Sequence, residues 1–334
     1  MTSFTRVLAA VRSVLGPHFL RYRLAWSALL VALVILAALY LGYAAAPASF
    51  PTDSIVVIPQ GASAAEVAQS LADEHVVRSA PVLRVVLRLT GASAHIHPGA
   101  YRLTAPENVF RISERVGSGA FGIPPTRITF LEGDTVRDMA AKVAAAFPAI
   151  TASDFISVAG PEEGYLFPDT YLFPPDATPE SIVAAMHKNF DEKLAPLEAD
   201  IAASGHSESD IVTMASLIEK EGRSLESKTM ISGILWNRIQ KGMPLQVDAV
   251  FGYIFGRDTY SPSLADLGVD SPYNTYTHTG LPPGPIDNPG LDSLTAAIHP
   301  AKTNYLFYLT GKDGQMHYAT TYAEQLANER VYLR

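Results

Sequence analysis

Two glutamates stand two positions apart at the end of the apolar run MASLIEKEG, residues 214–222. A carboxyl lodged against apolar packing keeps its proton near neutral pH and can donate it, which is what general acid catalysis requires. On a helical wheel of about 100° per residue, Met214, Leu217 and Ile218 fall within roughly 60° of Glu221, while Glu219 lies about 200° away. The expectation is Glu221 facing inward as a proton donor and Glu219 facing water in a surface pair, with Gly222 permitting the helix to end. A buried carboxyl that only ties down a loop would carry the same pattern, so Glu221 needs a groove to serve.

The downstream segments offer one. ILWNRIQKGMPLQVD, residues 234–248, reads as an amphipathic helix ending at Lys-Gly-Met-Pro, followed by Gln246 and Asp248. Residues 271–300 then form a stretch rich in Asn, Thr, Tyr, Pro and Gly, closed by a helix over roughly 290–298. Such length without a regular period points to function. Amides, hydroxyls and rings together are sugar-binding chemistry. Upstream, residues 161–180 interleave Tyr165, Phe167, Tyr171 and Phe173 with prolines. Two readings stand for this aromatic loop: a ridge that touches carbohydrate, or a stiff strap packed on the core. The chain ends with a hairpin pattern around Asp313-Gly314 and a helix.

Other chemistries find little support. The absence of Cys excludes disulfides and thiolate metal sites. His278, His299 and His317 fit no zinc spacing such as HExxH, and no G-x-S-x-G elbow marks an esterase. Neither a metal nor a cofactor is expected. The formal charge is −8 and no basic stripe is visible, so nucleic acid is not an expected partner.

These residues must be positioned outside a membrane. Residues 24–46 carry no charge and as a helix span about 34 Å, enough for a hydrocarbon core of roughly 30 Å. Arg6, Arg12, Arg21 and Arg23 crowd the N-terminal side, which predicts a cytoplasmic tail (1–23), a single transmembrane helix (24–46) and an exported remainder. A cleaved signal peptide is the alternative for this run. Beyond it, a strand, a Gly turn and a capped helix occur twice. Gly61, Ser63 and Glu66 in the first copy match Gly133, Thr135 and Asp138 in the second. This unit resembles the βα half of a LysM-like module. The expected class is α+β: a LysM-like module over 47–126 and a mainly helical domain with a β element over 127–334.

The motifs MASLIEKEG, ILWNRIQKGMPLQVD, YNTY and GLPPGPIDNPG, with EEGYLFPDTYLF and HPAKTNYLFYL, resemble the MltG/YceG family of endolytic murein transglycosylases over nearly the full chain. The resemblance implies Glu221 as the catalytic acid. It implies a substrate groove involving Asn237, Gln246, Asp248, Tyr273, Asn274, Tyr276 and Glu163. Val247 stands where Ser or Thr is common, which removes one hydroxyl, and Gly222 replaces a more usual Ala or Thr, which is expected to loosen the helix end. The implied activity is cleavage of the β-1,4 bond between N-acetylmuramic acid and N-acetylglucosamine in nascent peptidoglycan, leaving 1,6-anhydromuramyl ends and terminating glycan elongation. The implied setting is the bacterial inner membrane with the catalytic domain periplasmic. The implied partners are glycan strands and peptidoglycan synthases. A non-catalytic, membrane-anchored scaffold that binds cell wall is the alternative.

Overall fold

The structure, a computed structural model, describes residues 22–257 and 262–333. Arg6, Arg12 and Arg21 of the expected cytoplasmic tail lie outside the described residues. Helix α1 (Arg23–Leu39) continues through one π turn to Ala44. Over Ala25–Ala44, 20 residues, mean hydropathy is 2.3 and the side chains are exposed. That is long and apolar enough to cross a membrane. The chain divides into two compact units, with the boundary in sequence between Pro124 and Pro125.

The first unit is built on two antiparallel strands, β1 (Ser54–Ile58) and β2 (Gly99–Leu103), with Val56 opposite Tyr101. Between them run α2 (Ala64–Asp73) and α3 (Ala80–Leu89), and α4 (Val109–Ser118) follows. Ser63 and Glu66 close a reciprocal capping box at α2, satisfying two backbone N–H groups that the helix leaves free. Val56, Ile58, Leu71, Leu83, Leu87 and Ile112 form its core. Arg115 is buried there with its charge answered by Glu107 at 2.8 Å and by the carbonyls of Ala120 and Arg102.

The second unit opens by repeating this plan. Strands β3 (Thr126–Thr129) and β4 (Thr170–Phe173) are antiparallel, with Ile128 opposite Tyr171, and α5 (Val136–Ala146) and α6 (Ala152–Ala159) lie between them in sequence. Gly61 and Gly133 hold the same left-handed turn, φ 76° and 78°. Thr135 and Asp138 form the second capping box. The likeness extends past the motif visible in sequence. Tyr101 donates its hydroxyl to the His97 carbonyl and Tyr171 donates to the Phe167 carbonyl, both at 2.7 Å and both four residues back. The aromatic segment 161–180 contains β4, and Leu166, Phe167 and Phe173 are buried. Its rings pack inward, as in the strap reading.

The remainder is mainly helical: α7 (Pro179–Leu194), α8 (Glu198–Ser204), α9 (Glu208–Glu219), α10 (Leu225–Gln240), α11 (Ala249–Phe255) and α12 (Leu291–Ile298). A hairpin of β5 (Phe307–Thr310) and β6 (Met316–Ala319) and the helix α13 (Tyr322–Tyr332) close the chain. Helix α12 packs against both α9 and α10. Trp236 on α10 donates its indole N–H to the Ala297 carbonyl of α12.

Candidate active site

Helix α9 stops at Glu219, and the N–H groups of Glu221 and Gly222 both donate to the Ile218 carbonyl at 3.0 Å. Glu221 thus stands one residue beyond the helix cap, on the turn that leads to α10. The placement of Glu219 corrects the expectation of a solvent-facing surface pair. Every residue from Ile211 to Ile218 is buried, so α9 has no wet face at its C-terminal end. The Glu219 side chain is 7% exposed. It pairs with the 6% exposed Lys228 at 2.8 Å and accepts from the Gly290 N–H (2.9 Å) and the Ser293 hydroxyl (2.7 Å). It clamps α10 and the start of α12 to α9. Gly222 is likewise not a loosened helix end. A Cβ there would press on the Lys228 Cγ and backbone nitrogen, so glycine lets the first turn of α10 approach.

Glu221 opens on two cavities. One, about 400 Å³, is lined by Thr135, Arg137, Lys220, Asp248 and Tyr253 among others. The second, about 300 Å³, is lined by Arg223, Ser224, Glu226, Gln315 and Tyr318. The second βααβ copy forms one wall of the first cavity through Thr135 and Arg137. The Tyr308 hydroxyl donates to Glu221 Oε2 at 3.1 Å. Burial pushes the Glu221 carboxyl up to about 7; the Tyr308 hydrogen bond and the Ala249 N–H pull it down, and the Asp248 charge adds to the rise. Near neutral pH this carboxyl can both hold and release its proton. Burial, together with the neighbouring Glu221 charge, raises the Tyr308 phenol well above its ordinary value and keeps it a donor.

The expected groove residues divide. Asp248 is exposed, lines the first cavity with Glu221 and accepts the Tyr276 hydroxyl at 2.5 Å. Gln246, at φ 53°, accepts from Arg238 Nη1 (3.1 Å), and its N–H donates to the Thr275 carbonyl. Arg238 also donates to the Pro244 and Leu245 carbonyls and, through Nε, to the Leu306 carbonyl just ahead of β5. One guanidinium thus holds the 244–246 turn and the strand that carries Tyr308. Tyr273 packs on Tyr253, ring centroids 5.0 Å apart. Asn274 is fully buried: its amide donates to the Leu267 and Val269 carbonyls and its oxygen accepts the Tyr276 N–H. It shapes the loop and offers no face to the cavity. Asn237 lies at a different groove, where its amide donates to the Thr303 and Tyr305 carbonyls. Val247 is buried, and its N–H donates to the Thr275 hydroxyl.

Glu163 caps the start of α5, accepting the Val136 N–H at 3.0 Å and the Asn288 amide at 2.9 Å. Burial lifts its carboxyl to about 7 against both hydrogen bonds. Asn288 in turn accepts the N–H groups of Gly164 and Leu166, so the GPIDNPG segment is stitched to the second βααβ copy.

Three residues near this site escaped the sequence reading. Tyr308 lies 87 positions from Glu221, in a strand whose pattern marks no chemistry. Arg238 sits in the quoted WNR motif, but its carbonyl partners could not be read there. Asp287 is fully buried, and neither carboxylate oxygen has a hydrogen-bond partner among the described residues. Burial drives it well above the ordinary carboxylate range, with Lys220 pulling the other way. No trio of His, Asp or Glu among the described residues is arranged to hold a metal ion. His299 pairs with Asp200, and His317 with Asp313.

The YceG-like family model matches residues 56–331, and the chain belongs to this family. It is similar to a Bacillus subtilis protein named endolytic murein transglycosylase, 32% identical over 303 residues, covering 83% of this chain and 84% of that one. A Streptococcus pneumoniae protein of the same name is 32% identical over 246 residues, 70% of this chain and 45% of that one. The crystal structure of a yceG-like protein from Listeria monocytogenes superposes with a TM-score of 0.57 at 30% identity, covering 82% of this chain and 98% of that one.

Proposed function

We propose that this chain is a murein transglycosylase that cuts peptidoglycan glycan strands internally, with Glu221 as its acid and base. The carrying observation is a single carboxyl, raised to about 7 by burial, at the junction of two cavities. The relatives named endolytic murein transglycosylase support the substrate class.

Tyr308 holds the Glu221 carboxyl in place through Oε2 while the carboxyl carries its proton. Glu221 donates it to the glycosidic oxygen between N-acetylmuramic acid and N-acetylglucosamine as the C1–O bond breaks. Its carboxylate then takes the proton from the muramyl O6 as that oxygen attacks C1. The product is a 1,6-anhydro end, no water is consumed, and one carboxyl serves twice. Asp248, close enough to raise the Glu221 carboxyl, supports positive charge at C1, and Tyr276 orients it. Glu163 and Asn274 hold the surrounding loops, Arg238 holds Gln246, and Tyr273 packs on Tyr253 of the first cavity's lining. The apolar helix anchors the chain in the bacterial inner membrane, N-terminus inside, beside strands as synthases extend them. There cleavage would end elongation. The antiparallel pair with two intervening helices in the first unit supports a LysM-like, strand-holding role.

Asp248 also favours a second reading. A carboxylate beside the acid can activate water, giving hydrolysis and a reducing end. Mass spectrometry of the products separates the two, since an anhydro end is lighter by one water. Glu221→Gln tests the core assignment: release of new ends should fall by about 10²-fold or more. Undiminished cutting by this variant would sink the assigned acid. A wild-type protein that binds strands and releases no ends would make it a cell-wall scaffold.

A further inference from the structure

Beyond the two cavities at Glu221, the second unit carries a third depression, an open groove of about 1,050 Å³ between α10 and the segment Pro300–Tyr305. Its floor is fixed. Gly233 lets the segment lie against α10, because a Cβ there would strike the Ala301 carbonyl oxygen. The Asn237 amide holds the Thr303 and Tyr305 carbonyls, and the Ala301 N–H donates to the Thr229 carbonyl. On this floor His206 stacks on Trp236, centroids 3.7 Å apart. Gln240, Lys302 and Asn304 are exposed at the rim, and no described residue engages their side chains.

The groove is joined to the Glu221 site. Tyr305, which lines it, stacks on Tyr318, centroids 5.5 Å apart and planes at 25°. Tyr318 lines the second of the cavities that Glu221 opens on. The segment also runs directly into β5, whose Tyr308 touches Glu221. The stacked pair Tyr305–Tyr318 thus borders both the third groove and the second cavity at Glu221.

We propose that this groove is a distal subsite for the same glycan strand, binding an N-acetylated sugar unit that carries a lactyl-peptide carboxylate. The ring of Tyr305 suits the C–H face of a pyranose, the amides of Gln240 and Asn304 suit acetamido and hydroxyl groups, and Lys302 suits the carboxylate. A strand held here and across Glu221 is engaged well away from its end, which selects long strands and internal bonds. This inference rests on the murein reading of the Glu221 site.

The test is strand binding by full-length Glu221→Gln protein in detergent. The probes are uncrosslinked peptidoglycan strands retaining stem peptides, fractionated by length, with a tetrasaccharide as the short reference. Adding Tyr305→Ala, and separately Lys302→Glu, should reduce the preference for long over short strands by roughly tenfold, about 1.4 kcal/mol. Both positions are surface-exposed, and an unchanged melting temperature establishes that the variants fold. An unchanged preference in both variants overturns the subsite, even if wild type cuts strands. A wild-type protein that cuts nothing, alongside strand binding that still depends on Tyr305 and Lys302, would instead overturn the catalytic reading and leave the subsite standing. Absence of strand binding by the parent overturns the subsite outright.

Discussion

Glu221 and Tyr308 set the chemistry at the residue scale. The hydroxyl of Tyr308 stabilises the ionised carboxyl, so Tyr308→Phe should raise the Glu221 pKa. The alkaline limb of the pH–rate profile should then move upward from about 7, and turnover should fall about tenfold as the proton loses its fixed position. A profile that keeps its limb while turnover drops would mean that Tyr308 serves packing alone. Linkage gives a second outcome. The folded-state pKa of Glu221 lies above its ordinary 4.5, so ionisation is easier in the unfolded chain. The contribution of this residue to stability is full below about 4.5 and is lost as pH rises through about 7. Glu221→Gln should therefore raise the melting temperature by a few degrees relative to wild type at pH 8, with a smaller gain at pH 5. Scanning calorimetry at the two pH values checks the sign.

At the element scale, the site depends on how closely helices approach the loops between them. Gly233 brings Pro300–Tyr305 against α10, and that segment delivers β5 and Tyr308 to Glu221. Gly233→Ala should cost about 1–3 kcal/mol in urea unfolding and lower activity along with stability, because the clash falls on backbone. The buried Glu219–Lys228 pair has a related role. Removing one partner strands a charge in a dry interface, so Lys228→Ala should destabilise by about 3–5 kcal/mol. The capped helices were legible in sequence. Ser63 with Glu66 and Thr135 with Asp138 close within four residues, and local chemistry suffices to read them. The strand around Tyr101–Leu103 is also readable, whereas the strand that completes the second copy was harder to see, since Tyr171 sits in a proline-rich aromatic segment without strand period.

For the whole molecule, α1 presents an apolar surface, and the two compact units have separate cores. Deleting residues 1–46 should leave a detergent-independent protein with a cooperative thermal transition and strand-cutting activity, whereas the full chain should partition with membranes. Sedimentation with and without detergent reads the difference. The sequence by itself determined what depends on neighbours along the chain: the membrane-length helix, the caps and turns, the motifs that place the chain in its family, and a carboxyl marked for the site. It misplaced Glu219, because a helical wheel assumes one wet face and the C-terminal part of α9, Ile211–Ile218, is buried all round. Only the tertiary structure decided which polar residues meet. Tyr308 reaches Glu221 across 87 positions, Asn274 turns inward to hold its own loop, and Asn237 serves a different groove. Burial and hydrogen-bond partners are set by segments distant in sequence, and they fix whether a carboxylate is a strut or an acid.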